Sequence, residues 1–262
     1  MKYTPKLPDD SVNVSSEHPL NTALKLTFSL ALFAGIAYIF MGFVINYAVD
    51  TITPEQEKKL EKLLSSDLNI SDSDHPYLVK VTRKLTQCAH LPYDIHIKIM
   101  QENALNAFAA PGGIIYITKG MAQKVESENE LAFIIGHELG HFKHKDHLRM
   151  LGYKLIFSMV GMFLGSDYGA AASTTLNIGS AKYSQSAELE ADAYGLEVMH
   201  CAYGNVTDAT KMFEKMDDGE EWKYFTATHP GFEKRILKMK EKIIKDGMNH
   251  TEKVVPLEKP ML

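Results

Sequence analysis

A chain of 262 residues, 45% of them hydrophobic and 23% charged, can bury the core of one catalytic domain and still carry an appendage. Its net charge of −5 argues against a nucleic-acid binder, which needs a concentrated basic face. The lysine clusters Lys58-Lys59 and Lys238-Met239-Lys240-Glu241-Lys242 alternate with acids at helical spacing and read as solvated helix faces.

In chain order, residues 1–25 form a polar tail containing Pro5, Pro8, Asp9 and Asp10. From Leu26 to Val49 no residue is charged. At ~1.5 Å per helical residue this stretch crosses a hydrocarbon core of ~30 Å. No small-x-small cleavage site follows it, so an uncleaved signal anchor is expected rather than a leader peptide. Lys25 on one side and Asp50 on the other favour an N-terminus inside the cell and a domain outside the cytoplasm. Thr53-Pro54-Glu55-Gln56 then opens a helix, with Thr as N-cap, Pro at the first turn and Gln three residues on. A second helix is predicted from Pro76 to Cys88. Next the period changes: Ile95, Ile97 and Ile99 alternate with His96 and Lys98, the mark of a half-buried strand. Asn106 to Ala110, the turn Pro111-Gly112-Gly113 and Ile114 to Thr118 complete a small antiparallel β-meander.

Ser127-Glu128-Asn129-Glu130 is a capping box that starts a helix with Leu131, Ile135, Leu139 and Phe142 as its core stripe. Residues 151–163 are apolar apart from Lys154, too short for a span, and read as a helix packed on the domain or lying at a lipid surface. Gly165 to Ser180 reads as irregular. Helices follow from Gln185 to Cys201 and from near Pro230, the latter with Phe232, Ile236, Met239 and Ile243 on one face. Cys88 and Cys201 lack the spacing of a thiolate metal site. Buried free thiols are expected, with one disulfide as the alternative in an oxidising compartment. The fold class is therefore α+β and mostly helical: a tail (1–25), a membrane anchor (26–49), a domain (53–250) and a C-terminal tail (251–262).

The chemistry centres on His137-Glu138-Leu139-Gly140-His141. Histidines four apart on a helix project from one face and can reach one zinc ion at ~2.0–2.1 Å. Glu138 is rotated away from that face and can take a proton from a metal-bound water without ligating the metal. A third protein ligand is needed, and two residues qualify. His147 lies six residues after His141, as in an extended pattern where a glycine turns the chain back to the metal; here that position is His144, which suits a left-handed turn poorly. Glu188, in Glu188-Leu189-Glu190-Ala191-Asp192, shares a helix face with Asp192, so one carboxylate can ligate while the other orients a ligand histidine.

These motifs, followed by Ala193-Tyr194-Gly195 and by Thr228-His229-Pro230 with Arg235-Ile236, resemble the gluzincin family of the heat-shock protease HtpX. That family includes the CAAX prenyl endopeptidases and the mitochondrial overlapping-activity protease. The resemblance runs from about Tyr77 to Ile244 and includes Asn106-Ala107-Phe108 with Pro111-Gly112-Gly113. Val12 to Leu20 is similar to the equivalent stretch in bacterial single-span members. The resemblance implies a metalloendopeptidase of membrane or envelope protein quality control, in the bacterial inner membrane. It implies one zinc ion per chain, held by His137, His141 and Glu188, with Glu188 as third ligand, Asp192 as its second-shell partner and Glu138 as general base. It implies that His229 stands at the rim of the site, stabilising the transition state or blocking the metal at rest, and that Asn106, Ala107, Phe108, Ala109 and Ala110 form an edge strand receiving a protein or peptide substrate. The placement before Pro230 suggests a neutral imidazole at a helix N-terminus. Tyr183-Ser184-Gln185 departs from the family pattern, which often has Arg in the last position. His144 and His200 fit no role. Two rival readings remain: a non-catalytic zinc-containing membrane interaction protein, in which Glu138 would have no task, and a non-peptidase zinc hydrolase, for which an edge-strand groove has no use.

Overall fold

A computed structural model describes residues 18–64, 75–163, 183–215, 222–251 and 254–258. The chain divides into two units, Met1–Tyr47 and Ala48–Leu262. The described residues of the first lie almost wholly in helix α1 (Pro19–Thr51), whose last residues belong to the second. The most apolar window of α1 has a mean hydropathy of 2.3 and is only 6% buried, and Leu26, Phe28, Phe33 and Phe40 stand exposed. Such a helix is long and apolar enough to cross a membrane.

After α1 the second unit continues with α2 (Pro54–Leu64). Its capping box closes as the sequence predicts: the Thr53 amide donates to Gln56 Oε1 (2.9 Å) and the Gln56 amide to Thr53 Oγ1 (3.4 Å). Helix α3 (Pro76–Ala89) buries Leu78, Val81 and Leu85. Strands β1 (His96–Met100), β2 (Ala107–Ala110) and β3 (Ile114–Thr118) follow. They form a mixed sheet of order β1-β3-β2, with β1 parallel and β2 antiparallel to β3. The antiparallel meander expected from the sequence is thus corrected. Every residue of β2 and β3 is buried, whereas β1 begins exposed; the tight turn 111–113 makes β2 and β3 a hairpin, and the longer connection 101–106 lets β1 join the other edge of β3. At the hairpin, Gly112 and Gly113 have φ of 85° and 82°, and a Cβ on Gly113 would lie 2.6 Å from the Asp94 carbonyl oxygen, so that turn requires glycine.

Helices α4 (Lys119–Lys124), α5 (Glu128–Lys143), α6 (Asp146–Phe163), α7 (Gln185–Tyr203), α8 (Lys211–Lys215), α9 (Lys223–Thr228) and α10 (Phe232–Lys245) complete the unit. The region predicted as irregular, 165–180, lies outside the described residues. Helix α5 is the centre of the domain, with every residue from Glu128 to Phe142 buried. Ser127 Oγ accepts from the Glu130 amide (3.1 Å), while Glu130 Oε2 takes the Glu126 amide (2.9 Å) in place of the Ser127 amide of a regular capping box. The C-terminal strap completes this end: the Glu128 amide donates to Val255 O and the Val255 amide to Asn129 Oδ1.

α5 and α7 touch backbone to backbone. A Cβ on Gly140 would lie 2.6 Å from Ala191 Cα, and one on Gly195 2.9 Å from the His137 nitrogen. α3 also packs on α7, which brings Cys88 and Cys201 into a disulfide across 113 residues of sequence. The expected free thiols are corrected: residues so distant in sequence meet only once the helices pack. The bond closes a long loop of the unfolded chain, so Cys88→Ser with Cys201→Ser should lower stability by about 2–5 kcal/mol, measured as the urea-unfolding free energy. Thiol titration of the unreduced wild type should find no free cysteine.

Candidate metal centre

The register set by Ser127 puts His137 and His141 on one face of α5, with their Nε2 atoms 3.1 Å apart. α7 presents Glu188 opposite: its Oε2 lies 3.5 Å from His137 Nε2 and its Oε1 3.6 Å from His141 Nε2. Donors bound at ~2.0 Å to one tetrahedral ion stand roughly 3.3 Å apart, so these three residues could hold a metal. His229 joins them, its Nδ1 3.3 Å from His137 Nε2 and 3.1 Å from Glu188 Oε1. One ligand atom from each of the four lies within 4.8 Å of the others, and all four residues are buried.

Glu138 is also fully buried, and neither of its carboxylate oxygens has a hydrogen-bond partner among the described residues. The Tyr183 hydroxyl is likewise buried without one, while its ring stacks on His141 at 3.7 Å between centroids. An unpaired buried carboxylate is costly; a metal ion with its water would supply the missing partner. The two-nitrogen, one-oxygen donor set and this orphaned carboxylate therefore fit a zinc-type ion. Burial raises the pKa of Glu138, opposed by the charges of His229 and His137.

Behind the donors lies a layer of charge that the sequence did not disclose. His137 Nδ1 pairs with Asp192 Oδ1 (2.9 Å) and His141 Nδ1 with Asp146 Oδ2 (3.1 Å). Each carboxylate fixes which ring nitrogen faces the centre. Asp192, one helical turn after Glu188 on α7, meets a candidate ligand histidine, His137. Arg235, 1% exposed, grips Asp192 with Nε and Nη2, both at 2.7 Å, and ion-pairs with Glu188 through Nη1. Burial opposes ionisation of Glu188, yet His229 and Arg235 bring its pKa down to about 2. For Asp192 the same guanidinium overcomes burial and holds the carboxylate well below its ordinary range. Arg235 was visible only as part of a motif, and Asp146 carried no signal beyond its place five residues after His141.

His229 departs from the sequence reading. It is the C-cap of α9, and Gly231, not His229, caps α10. Burial would lower its pKa, but the Glu188 carboxylate raises it overall. His229 Nε2 lies 3.2 Å from the Ala107 carbonyl oxygen and 3.9 Å from Glu138 Oε1. His147 is not brought to the cluster; it is buried against Glu57, 3.0 Å away. Ala107 to Ala110 form the edge strand β2, which among the described residues pairs only with β3. Asn106 precedes it, its amide on Thr118 Oγ1. His96 is exposed, and His144 and His200 are half-buried outside the cluster.

A helix bearing His-Glu-x-x-His, met by a glutamate from a later helix, defines a metallopeptidase domain of the gluzincin class. The chain belongs to peptidase family M48, whose family model matches residues 72–243. It is 27% identical over 183 residues to the mitochondrial metalloendopeptidase OMA1 of Schizosaccharomyces pombe, covering 64% of this chain and 54% of that one. It is 36% identical over 83 residues to a protease HtpX homologue of Thermodesulfovibrio yellowstonii, covering 30% and 29% respectively. A putative beta-barrel assembly-enhancing protease of Vibrio cholerae is 26% identical over 164 residues, covering 55% and 34%. The matched region thus spans about half or less of these relatives' length.

Arg235 is the counter-charge for two buried carboxylates. Arg235→Met should destabilise the metal-free protein by about 3–5 kcal/mol, because both lose their buried counter-charge; urea unfolding in the presence of a chelator measures this.

Proposed function

We propose that this protein is a membrane-anchored zinc metalloendopeptidase that hydrolyses peptide bonds in protein substrates. The observation that carries the reading is the convergence of His137, His141 and Glu188 at tetrahedral spacing beside the orphaned Glu138. The chemistry that zinc supplies when bound is polarisation of the scissile carbonyl and acidification of water towards a pKa of ~7. Glu138 takes the proton of the attacking water and hands it to the leaving amine nitrogen. Asp192 and Asp146 keep His137 and His141 in the ligating tautomer. An extended substrate adds as a strand along β2, held by main-chain hydrogen bonds that make few demands on its sequence. For it to pair with the Ala107 carbonyl, His229 must give up its own contact there.

The proposed setting, protein quality control in a membrane or envelope, rests on the family resemblance; one relative is named as a putative beta-barrel assembly-enhancing protease. The cystine Cys88–Cys201 supports a domain on the oxidising side of a bacterial inner membrane, in line with Lys25 before the span and Asp50 after it. Carbonate extraction should leave the chain in the membrane fraction, and a soluble mature chain starting near Asp50 would overturn the anchor.

Full-length Glu138→Gln should retain one zinc ion by metal analysis yet lose about 10²–10⁴-fold in peptide hydrolysis. Unchanged hydrolysis by that variant would overturn the assignment, and a wild type that binds zinc but cleaves nothing would favour an interaction protein. His229→Ala should keep its zinc and change turnover: a fall of roughly 10²-fold marks a donor to the developing oxyanion, and a rise marks a guard on the metal.

A further inference from the structure

The segment that follows the anchor does more than connect. Residues 48–57, which belong to the same unit as the metal centre, meet the turn that leaves the C-terminus of α5. At that turn Lys145 has φ of 55°, a left-handed conformation uncommon for a residue with a side chain. Its ammonium donates to the carbonyls of Val49 and Ile52, each at 3.0 Å, and more weakly to that of Asp50. Val49 and Asp50 are among the final carbonyls of a helix, which have no partner within it. Arg149 reaches the same segment, its Nη2 3.1 Å from Asp50 Oδ1.

A second contact lies one turn further on. Glu57 is completely buried. Its Oε2 accepts from His147 Nε2 (3.0 Å) and the Gly112 amide (3.3 Å), and its Oε1 from the Tyr93 hydroxyl (2.7 Å). The other nitrogen of His147, Nδ1, faces the carbonyl oxygen of His141 at 3.3 Å. Between Lys145 and His147 stands Asp146, whose carboxylate holds the His141 imidazole. His141 is therefore gripped at both its ring and its carbonyl by a short turn, and that turn is itself fixed by residues 49–57. His137 has no such arrangement: Asp192 and Arg235 orient it from α7 and α10.

We propose that Lys145 and Glu57 are positioning residues through which segment 48–57 braces His141 at the metal centre, Lys145 acting through Asp146 and Glu57 through His147. The inference rests on the reading of His141 as a metal ligand. It predicts that metal affinity, not merely folding, depends on contacts more than one residue removed from the ion.

The test is a mutant cycle on the full-length protein in detergent, read as zinc affinity by chelator competition, with thermal unfolding and peptide turnover alongside. Lys145→Asn removes the ammonium but keeps a residue that tolerates left-handed backbone. It should weaken zinc binding about tenfold, at the lower end of what loss of an outer-sphere partner costs, and lower kcat with little change in KM because β2 is untouched. Lys145→Arg should restore most of the affinity. In an Asp146→Ala background Lys145→Asn should have no further effect, since coupled residues are not additive. Glu57→Gln, close in shape to the native residue, should also weaken zinc binding. Wild-type affinity in both Lys145→Asn and Glu57→Gln would overturn the proposal, as would an undiminished Lys145→Asn loss in the Asp146→Ala background. A wild type that binds no zinc would instead overturn the metalloendopeptidase reading, and this inference with it.

Discussion

The metal centre exists because α5 and α7 approach closely enough for their backbones to touch. Gly136, Gly140 and Gly195 lie at that contact, and at Gly140 and Gly195 a methyl group would collide with the facing chain. The approach puts Glu188 and Asp192 within reach of His137 and His141; helices separated by ordinary side chains stand 8–10 Å apart at their axes. The histidines are four apart and so are the acids, so one contact aligns two pairs: a proposed ligand with a proposed ligand, and a histidine with the carboxylate that orients it. Elements around the pair serve this alignment. Cys88–Cys201 ties α7 to α3, and the C-terminal strap fastens the start of α5.

Close packing confines much charge to a small, dry space. Glu138, Glu188 and Asp192 are all buried, and charged groups are tolerated there only when paired and hydrogen-bonded. Arg235 does most of the balancing, with one side chain on two carboxylates and a third contact to the His229 carbonyl oxygen. Glu138 is the exception. A buried acid without a hydrogen-bond partner among the described residues is costly for the fold and suited to proton transfer, and strain of this kind collects at functional sites.

His229 joins the centre to the edge strand β2. Its Nδ1 faces the donor cluster while its Nε2 occupies the Ala107 carbonyl. One imidazole thus engages both the metal position and the first acceptor of the edge strand, and an incoming peptide would compete with it for that acceptor. On another side of His141, the last turn of α1 and the residues after it reach the turn after α5. The centre is consequently bordered by the edge strand β2 and by the segment that follows α1.

Local patterns were legible in the sequence. The uncharged run from Leu26 to Val49, the caps at Thr53 and Ser127, and the helical spacing of His137 and His141 depend on neighbours a few residues away, and short-range sterics and hydrogen bonding dictate them. The convergence of His137, His141, Glu188 and His229 was indicated only through resemblance to a family. What the sequence could not decide were outcomes of packing between distant segments. β3 rather than β2 took the centre of the sheet: the tight turn 111–113 pairs β2 with β3, and β1 joins the other edge of β3. Cys88 met Cys201 because two helices pack side by side. Asp192 turned to His137 rather than His141, Asp146 to His141, His147 to Glu57, and Arg235 became the shared counter-ion. Each depends on which buried charges find one another, and that is settled by distances in space which no spacing along the chain encodes.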